Sequence, residues 1–345
     1  MITTGTTGSA WRASISPWGR VEPWDDEPPL DWYVAADDRW HVPAHEPTVR
    51  QTRLDGTPVT ETRVRVPNGD VVQRVYSVPD GGGITVVEFE NESTMPVAIA
   101  LDRRDVLTER PVADIPIEGI DLPAGSFVLP LGHRATIRVG LAHGPQRAGQ
   151  LPATPNARQV ANGWLTTVER ASRFVLPDGE RGATLAARVA AARCEVALGV
   201  IAEPTDYPIS FAIALGELVR MGERTGPWLE ELVEAVAAIG PRATWEADAA
   251  LVAADRVLAV AGEDRARRDL ARSIDARTRS IRPVAAPDGV AIVPWLETVF
   301  AIGGALLPAG MPAEWLGQSF EVYGIPTAAT ATVSFAARWH GDRPA

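Results

Sequence analysis

Near residue 150 the spacing of apolar side chains changes, and this divides the chain into a strand-forming part and a helix-forming part. Ahead of the change, like residues recur at every second position, the period of a half-buried strand. Thr62, Val64 and Val66 alternate with Arg63 and Arg65, Pro67-Asn68-Gly69-Asp70 turns the chain, and Val71 to Val78 runs back. Asn-Gly supplies the two positive φ angles of a type I′ turn, so a tight hairpin is predicted here. Asp80-Gly81-Gly82-Gly83 leads into Ile84 to Phe89, and Asn91-Glu92-Ser93 turns the chain before Val97, Ile99 and Leu101. Ser126 to Pro130 and Ala135 to Ala142 follow, with Ile137, Val139 and Leu141 on one face. Strands at this spacing, without helices between them, predict a largely antiparallel β-sandwich over residues 1–149.

Residues 150–155 read as a Pro-containing linker, with Asn156 placed to cap a helix. Beyond it the period is about 3.6 residues. Val160, Trp164, Val168 and Ala171 form one stripe, and Leu185, Val189, Ala192 and Val196 a second. A third helix is expected from Ile209 to Met221. A fourth opens at Pro227 and stops at Gly240-Pro241, and a fifth is capped by Thr244 and ends near Gly262. Asp264 to Arg279 reads as a sixth, and Pro294 starts a seventh. Residues 156–310 are thus expected to form an α-helical hairpin domain, as a bundle or a partial α/α toroid. Residues 311–345 return to loop and strand character, with Val333 and Phe335 alternating against Ser334 and Ala336. Pairing with the first domain and a separate small sheet are both open for this tail. The fold class read from the chain is therefore α+β.

Composition removes several functions. Acidic residues outnumber basic ones 44 to 33, a net charge of -11 that repels nucleic-acid backbones. No stretch has the ~20 consecutive apolar residues of a membrane span, so no membrane association is expected. All 33 basic residues are arginine, which excludes a Schiff-base lysine, pyridoxal-phosphate attachment and a Walker-type phosphate lysine. The single cysteine, Cys194, excludes an intrachain disulfide and a multi-cysteine metal site, and no cofactor is expected. The opening MITTGTTGSAWRAS lacks the basic start and apolar run of a secretory signal, so the expected location is cytoplasmic.

Val86-Val87-Glu88-Phe89-Glu90-Asn91-Glu92-Ser93-Thr94-Met95-Pro96-Val97 resembles a strand–turn–strand pattern of six-hairpin glycosidases and glycogen-debranching-like proteins. Those proteins also share the order of strand-rich domain, Pro-containing linker and helical hairpins. Val333 to Gly341 is similar to segments of uncharacterised proteins grouped near them. The resemblance implies a carbohydrate-active protein that binds or hydrolyses a glucan or other glycan. A closed ring of six hairpins needs more helices than are read here, so the family's catalytic carboxylates are not carried over, and an inactive relative stays open beside an enzyme. The other reading is a non-catalytic scaffold or protein-interaction subunit using the helical domain.

The residues themselves supply candidates. Between Trp18 and Glu46, Trp24, Trp32, Tyr33 and Trp40 interleave with Asp25, Asp26, Glu27, Asp31, Asp37 and Asp38. Sugar sites combine flat apolar faces for the ring with carboxylates for the hydroxyls. Trp24, Trp32, Trp40 and Asp31 are accordingly the substrate-binding candidates, with core packing the other use of such rings. Glycoside hydrolysis needs a pair of carboxylates, for which Glu246 after Trp245, Glu297 two after Trp295 and Glu314 before Trp315 are candidates. An acid in a first helical turn also simply opposes the helix dipole. His41 and His45 flank Pro43, which favours extended chain over a helical metal pair, so no metal site is expected. The arginine-rich helix from Arg265 to Arg282 reads as a solvated face or as a contact surface for an acidic protein partner.

Overall fold

Threonine and valine alternate with charged residues along Thr60–Val66, and this strand pairs antiparallel with Gly69–Val78. The connection is shorter than the one expected. Gly69 already pairs with Val66, leaving Pro67 and Asn68 as the loop. Proline holds φ negative, so a type I′ turn is excluded, and only Asn68 takes a positive φ, of 64°. Gly69 is needed for a different reason: a Cβ there would lie 2.4 Å from the Ser93 Cα.

The computed structural model describes residues 1–25, 27–112, 116–144, 148–177, 180–275, 277, 280–340 and 343–344. It is a mixed α+β protein with seven α-helices among the described residues. It divides into two compact units, Met1–Trp164 and Leu165–Ala345.

In the first unit, a seven-stranded sheet runs in the order Gly149–Gln150, Leu107–Thr108, Thr136–Ala142, Ile84–Asn91, Gly69–Val78, Thr60–Val66 and Arg50–Arg53. All its pairings are antiparallel except that between the first two strands. A four-stranded sheet holds Phe127–Leu131, Val97–Leu101, Trp32–Ala35 and Trp40–His41, and a three-stranded one the strands Ile2–Gly5, Arg12–Ile15 and Val21–Pro23. Side chains from all three sheets, among them Ile15, Trp32, Val75, Phe89, Ile99 and Ile137, share one apolar core.

The Asn91 turn is braced by its own side chain. Asn91 Nδ2 donates to the carbonyl of Met95 at 2.8 Å and also reaches those of Leu131 and Gly132. Its Oδ1 accepts from the Ser93 amide and hydroxyl. Chain reversal alone thus accounts for asparagine and serine in that segment.

The helices are α1 (Ala157–Val168), α2 (Glu180–Ala197), α3 (Pro208–Met221), α4 (Leu229–Ile239), α5 (Trp245–Ala261), α6 (Asp264–Asp275) and α7 (Ile292–Phe300). Their ends follow local chemistry. Thr244 Oγ1 accepts from the Ala247 amide at the start of α5, and Gly222 and Gly262 take left-handed φ after α3 and α5. Pro227 falls in a single 3-10 turn ahead of α4, and Pro294 in the first turn of α7. The expected continuation of α6 to Arg279 enters residues outside those described. Helices α3 and α5 approach closely because Gly216 has no side chain: a Cβ there would meet the Ala253 Cβ at 2.8 Å.

The tail, left open by sequence, belongs to the second unit. Phe320–Pro326 pairs with both Arg173–Val175 and Thr332–Ala337. Behind it, Phe300, Trp315 and Phe320 pack with ring centroids 5.6–5.7 Å apart. No helix among the described residues is long and apolar enough to cross a membrane.

Candidate functional site

On α7, Ile292, Val293, Trp295, Leu296 and Phe300 are buried, so this helix presents a wide apolar face to the second unit's core. Trp295 leaves part of its ring on a cavity of about 290 Å³, and Trp315, from the 3-10 turn Ala313–Trp315, lines the same cavity. Leu185, Arg282, Met311 and Glu314 complete much of the wall. A second cavity of about 500 Å³ shares Leu185, Val284 and Trp295 and adds Arg188.

The wall is held by its own polar contacts. Trp295 Nε1 donates to the Pro283 carbonyl at 2.8 Å. The Arg282 guanidinium lies 4.8 Å from the centroid of the Trp295 ring, a cation–π contact, and burial lowers its pKa. Arg188 donates to the Pro287 carbonyl and pairs with Asp288. Flat aromatic surface beside guanidinium donors and one carboxylate suits a ligand with apolar faces and hydroxyl edges.

The three carboxylates proposed for catalysis lie in different surroundings. Glu314 lines the cavity. Glu246 is half-buried in the first turn of α5, just after the Thr244 cap. Glu297 follows Trp295 by two residues, about 200° around the helix, and points into the protein interior instead. There it accepts from the Ser172 hydroxyl at 2.8 Å and from Arg193 at 3.1 Å, and pairs with Arg220 at 2.7 Å. Glu217 completes this buried network, 2.7 Å from Arg193 and 2.6 Å from Arg220. Burial pushes the Glu217 pKa upward, but Arg220 and Arg193 outweigh it and hold the carboxyl well below the usual carboxylate range.

In the first unit, Trp32 is a core residue, 2% exposed, tilted against Phe89 and donating from Nε1 to the Trp18 carbonyl. Trp24 is exposed, its indole N–H bonded to Ser14, and Trp40 is half-buried with its N–H on the Glu118 carbonyl. Asp31 pairs with Arg20 at 3.2 Å, while burial raises its pKa. Asp26 lies outside the described residues. His41 is buried between Asp38 and Glu46, 3.0 and 3.1 Å from its two ring nitrogens. No group of three or more His, Cys, Asp or Glu among the described residues is placed to hold a metal ion.

Sequence reasoning passed over Arg193, Glu217 and Arg220, and it read Arg282 as the end of a solvated or partner-contact helix, whereas Arg282 lies beyond α6, half-buried over the Trp295 ring. The available signal was a charge inside an apolar run, as in Ala214-Leu215-Gly216-Glu217-Leu218-Val219. It also passed over a hydroxyl chain in the first unit. Thr4, Ser77 and Thr85 link through oxygens 3.1 and 2.8 Å apart, and Thr85 Oγ1 lies 2.9 Å from His143 Nε2. The His143 ring stacks on Trp11 at 3.8 Å. Burial, with repulsion from Arg12, lowers its pKa from 6.5 to about 4. As pH falls through that interval the unfolded chain takes up this proton and the folded chain does not, so stability declines. Urea midpoints between pH 7 and 4 will therefore fall more steeply for the wild type than for His143→Gln. Parallel slopes would show that His143 titrates normally.

Compared with protein-family models and with curated proteins, the chain matches none.

Proposed function

We propose that the protein binds a glycan without hydrolysing it, using the Trp295–Trp315 cavity as its sugar site. The observation that carries this reading is the composition of the cavity wall: two indoles, a guanidinium and, among the described residues, a single carboxylate, Glu314. Trp295 and Trp315 are largely buried, at 5% and 6% exposure, and the parts of their rings that reach the cavity offer apolar contact to a pyranose, while Arg282 and Glu314 offer a donor and an acceptor to its hydroxyls. Hydrolysis requires two carboxylates flanking the bond, ~5–9.5 Å apart. Glu297 is occupied by Arg193, Arg220 and Ser172, and Glu246 is not among the lining residues. Recognition without turnover is what remains.

The proposal includes a β-sandwich for the strand-rich unit, an incomplete helical toroid for the second, and descent from six-hairpin, glycogen-debranching-like proteins. A cytoplasmic setting accompanies it, in keeping with the single buried thiol of Cys194. The competing reading, an assembly subunit, looks to Arg265 and Arg268, exposed on α6. It is weakened because Arg267 and Arg277 are paired with the protein's own Asp255 and Asp248.

Titration with malto-, cello- and xylo-oligosaccharides, followed by tryptophan fluorescence, tests the proposal. A saturable change is expected without release of new reducing ends. Glu314→Gln, which keeps the side-chain shape, should weaken binding by roughly threefold to tenfold, the worth of one hydrogen bond. Unchanged fluorescence across all three series would remove the sugar reading and leave assembly as the better account.

A further inference from the structure

Five charged side chains converge inside the second unit: Arg193 on α2, Glu217 and Arg220 on α3, Arg256 on α5 and Glu297 on α7. All are at least nine-tenths buried as side chains or residues, Arg193 at 1% exposure and Arg256 at 8%. Among the described residues, three guanidinium groups face two carboxylates, which leaves one positive charge over. Buried charges of one sign are stable only when something of the other sign accompanies them.

The surplus can be assigned to one residue. Arg193 spends its donors on Glu217, Glu297 and Ser172, and Arg220 on Glu217, Glu297 and the carbonyls of Ala171 and Gly324. Both carboxylates are thereby engaged. Arg256 makes no hydrogen bond or ion pair with any described residue; Arg220 and Arg193 repel it, and Glu217 and Glu297, each already paired with those two arginines, attract it only through space. Its nitrogens are not sealed from solvent, and it does not line either cavity beside Trp295.

We propose that Arg256 is the binding group of a small-oxyanion site, in which a carboxylate or phosphate-type anion neutralises the surplus charge of the buried cluster. A guanidinium presents its N–H groups as a planar fork that two oxygens of such an anion can meet together, which chloride cannot match. One negative charge suffices to balance the cluster. The site is independent of sugar binding.

Isothermal titration calorimetry on the full chain, with sodium phosphate and sodium acetate at ionic strength held constant by chloride, tests it. One saturable site per chain is expected for at least one anion. A preference for acetate identifies a carboxylate ligand, and a preference for phosphate identifies a phosphorylated one. Arg256→Met should weaken that binding about tenfold or more, the range for hydrogen bonds to charged groups. Arg256→Lys keeps the charge but loses the fork, so it should also bind more weakly, and it serves if the methionine variant does not fold. Glu314→Gln should bind the anion as the wild type does. Absence of saturable binding by the wild type, or equal binding by folded Arg256 variants, overturns the proposal.

Discussion

Arg193→Leu is expected to destabilise the second unit by about 3–5 kcal/mol, because it removes the guanidinium that bridges two buried carboxylates and leaves Arg220 as the direct ion-pair partner of both. Arg193 bonds to Glu217, to Glu297 and to both the carbonyl and the hydroxyl of Ser172, at distances of 2.7–3.1 Å. Leucine fills some of the volume and returns none of the charge. The pair itself need not stabilise the fold relative to an apolar core, since desolvating both ions offsets most of their attraction. Removing one partner alone forfeits the attraction and keeps the desolvation cost. Urea unfolding of the full chain, followed by far-UV circular dichroism, measures this on the helical signal. A loss below about 1 kcal/mol, typical of surface pairs, would show the network to be solvated. The same network sets a pH dependence. Glu217 ionises in the folded protein well below its ordinary value of 4.5, so its contribution is complete above that pH and is lost as pH falls below it. Arg193→Leu should reduce this acid sensitivity along with the stability.

Trp32→Ala should cost the first unit about 3–5 kcal/mol, the range for deleting a large buried ring. The indole is enclosed by the core shared among the three sheets, touches Phe89 at 5.4 Å and donates to the Trp18 carbonyl at 2.9 Å. The deletion therefore opens a cavity and leaves an unpaired carbonyl. Trp24→Ala, at an exposed ring, should stay within about 0.5 kcal/mol of the wild type. Thermal unfolding of the two variants separates a core ring from a surface one. Equal and small effects would mean that Trp32 is free to meet a ligand, and the sugar site would have to be sought in the first unit.

Trp24, Trp32 and Trp40 look alike in sequence because each sits among acidic residues and near a turn. Burial separates them, and burial depends on strands far away in the chain: Trp32 pairs with Leu101, which in turn pairs with Phe127. The Asn91 segment shows a related ambiguity. Its pattern of strand, asparagine, small polar residue, proline and strand is explained by three carbonyls that Asn91 Nδ2 reaches, two of them about forty residues downstream. A pattern required by a turn carries little information about a ligand.

Glutamates beside tryptophans were equally ambiguous. Two residues of helix carry Glu297 to the opposite side from Trp295, so adjacency in sequence put it in the interior and not at the cavity. Glu314 lies beside Trp315 in a single 3-10 turn, and both reach the cavity wall.

Strand and helix, hairpin and cap were legible in the chain because each depends on neighbours within a few residues. A period of two or 3.6, a threonine ahead of α5 and a glycine behind it suffice for those. The charged core and the cavity belong to tertiary structure alone. Ser172, Arg193, Glu217 and Glu297 meet across separations of up to 125 residues, and no local rule sums the fields of three arginines at one point. Electrostatic balance is a property of positions in space, so the surplus on Arg256 became visible only when four helices brought their charges together.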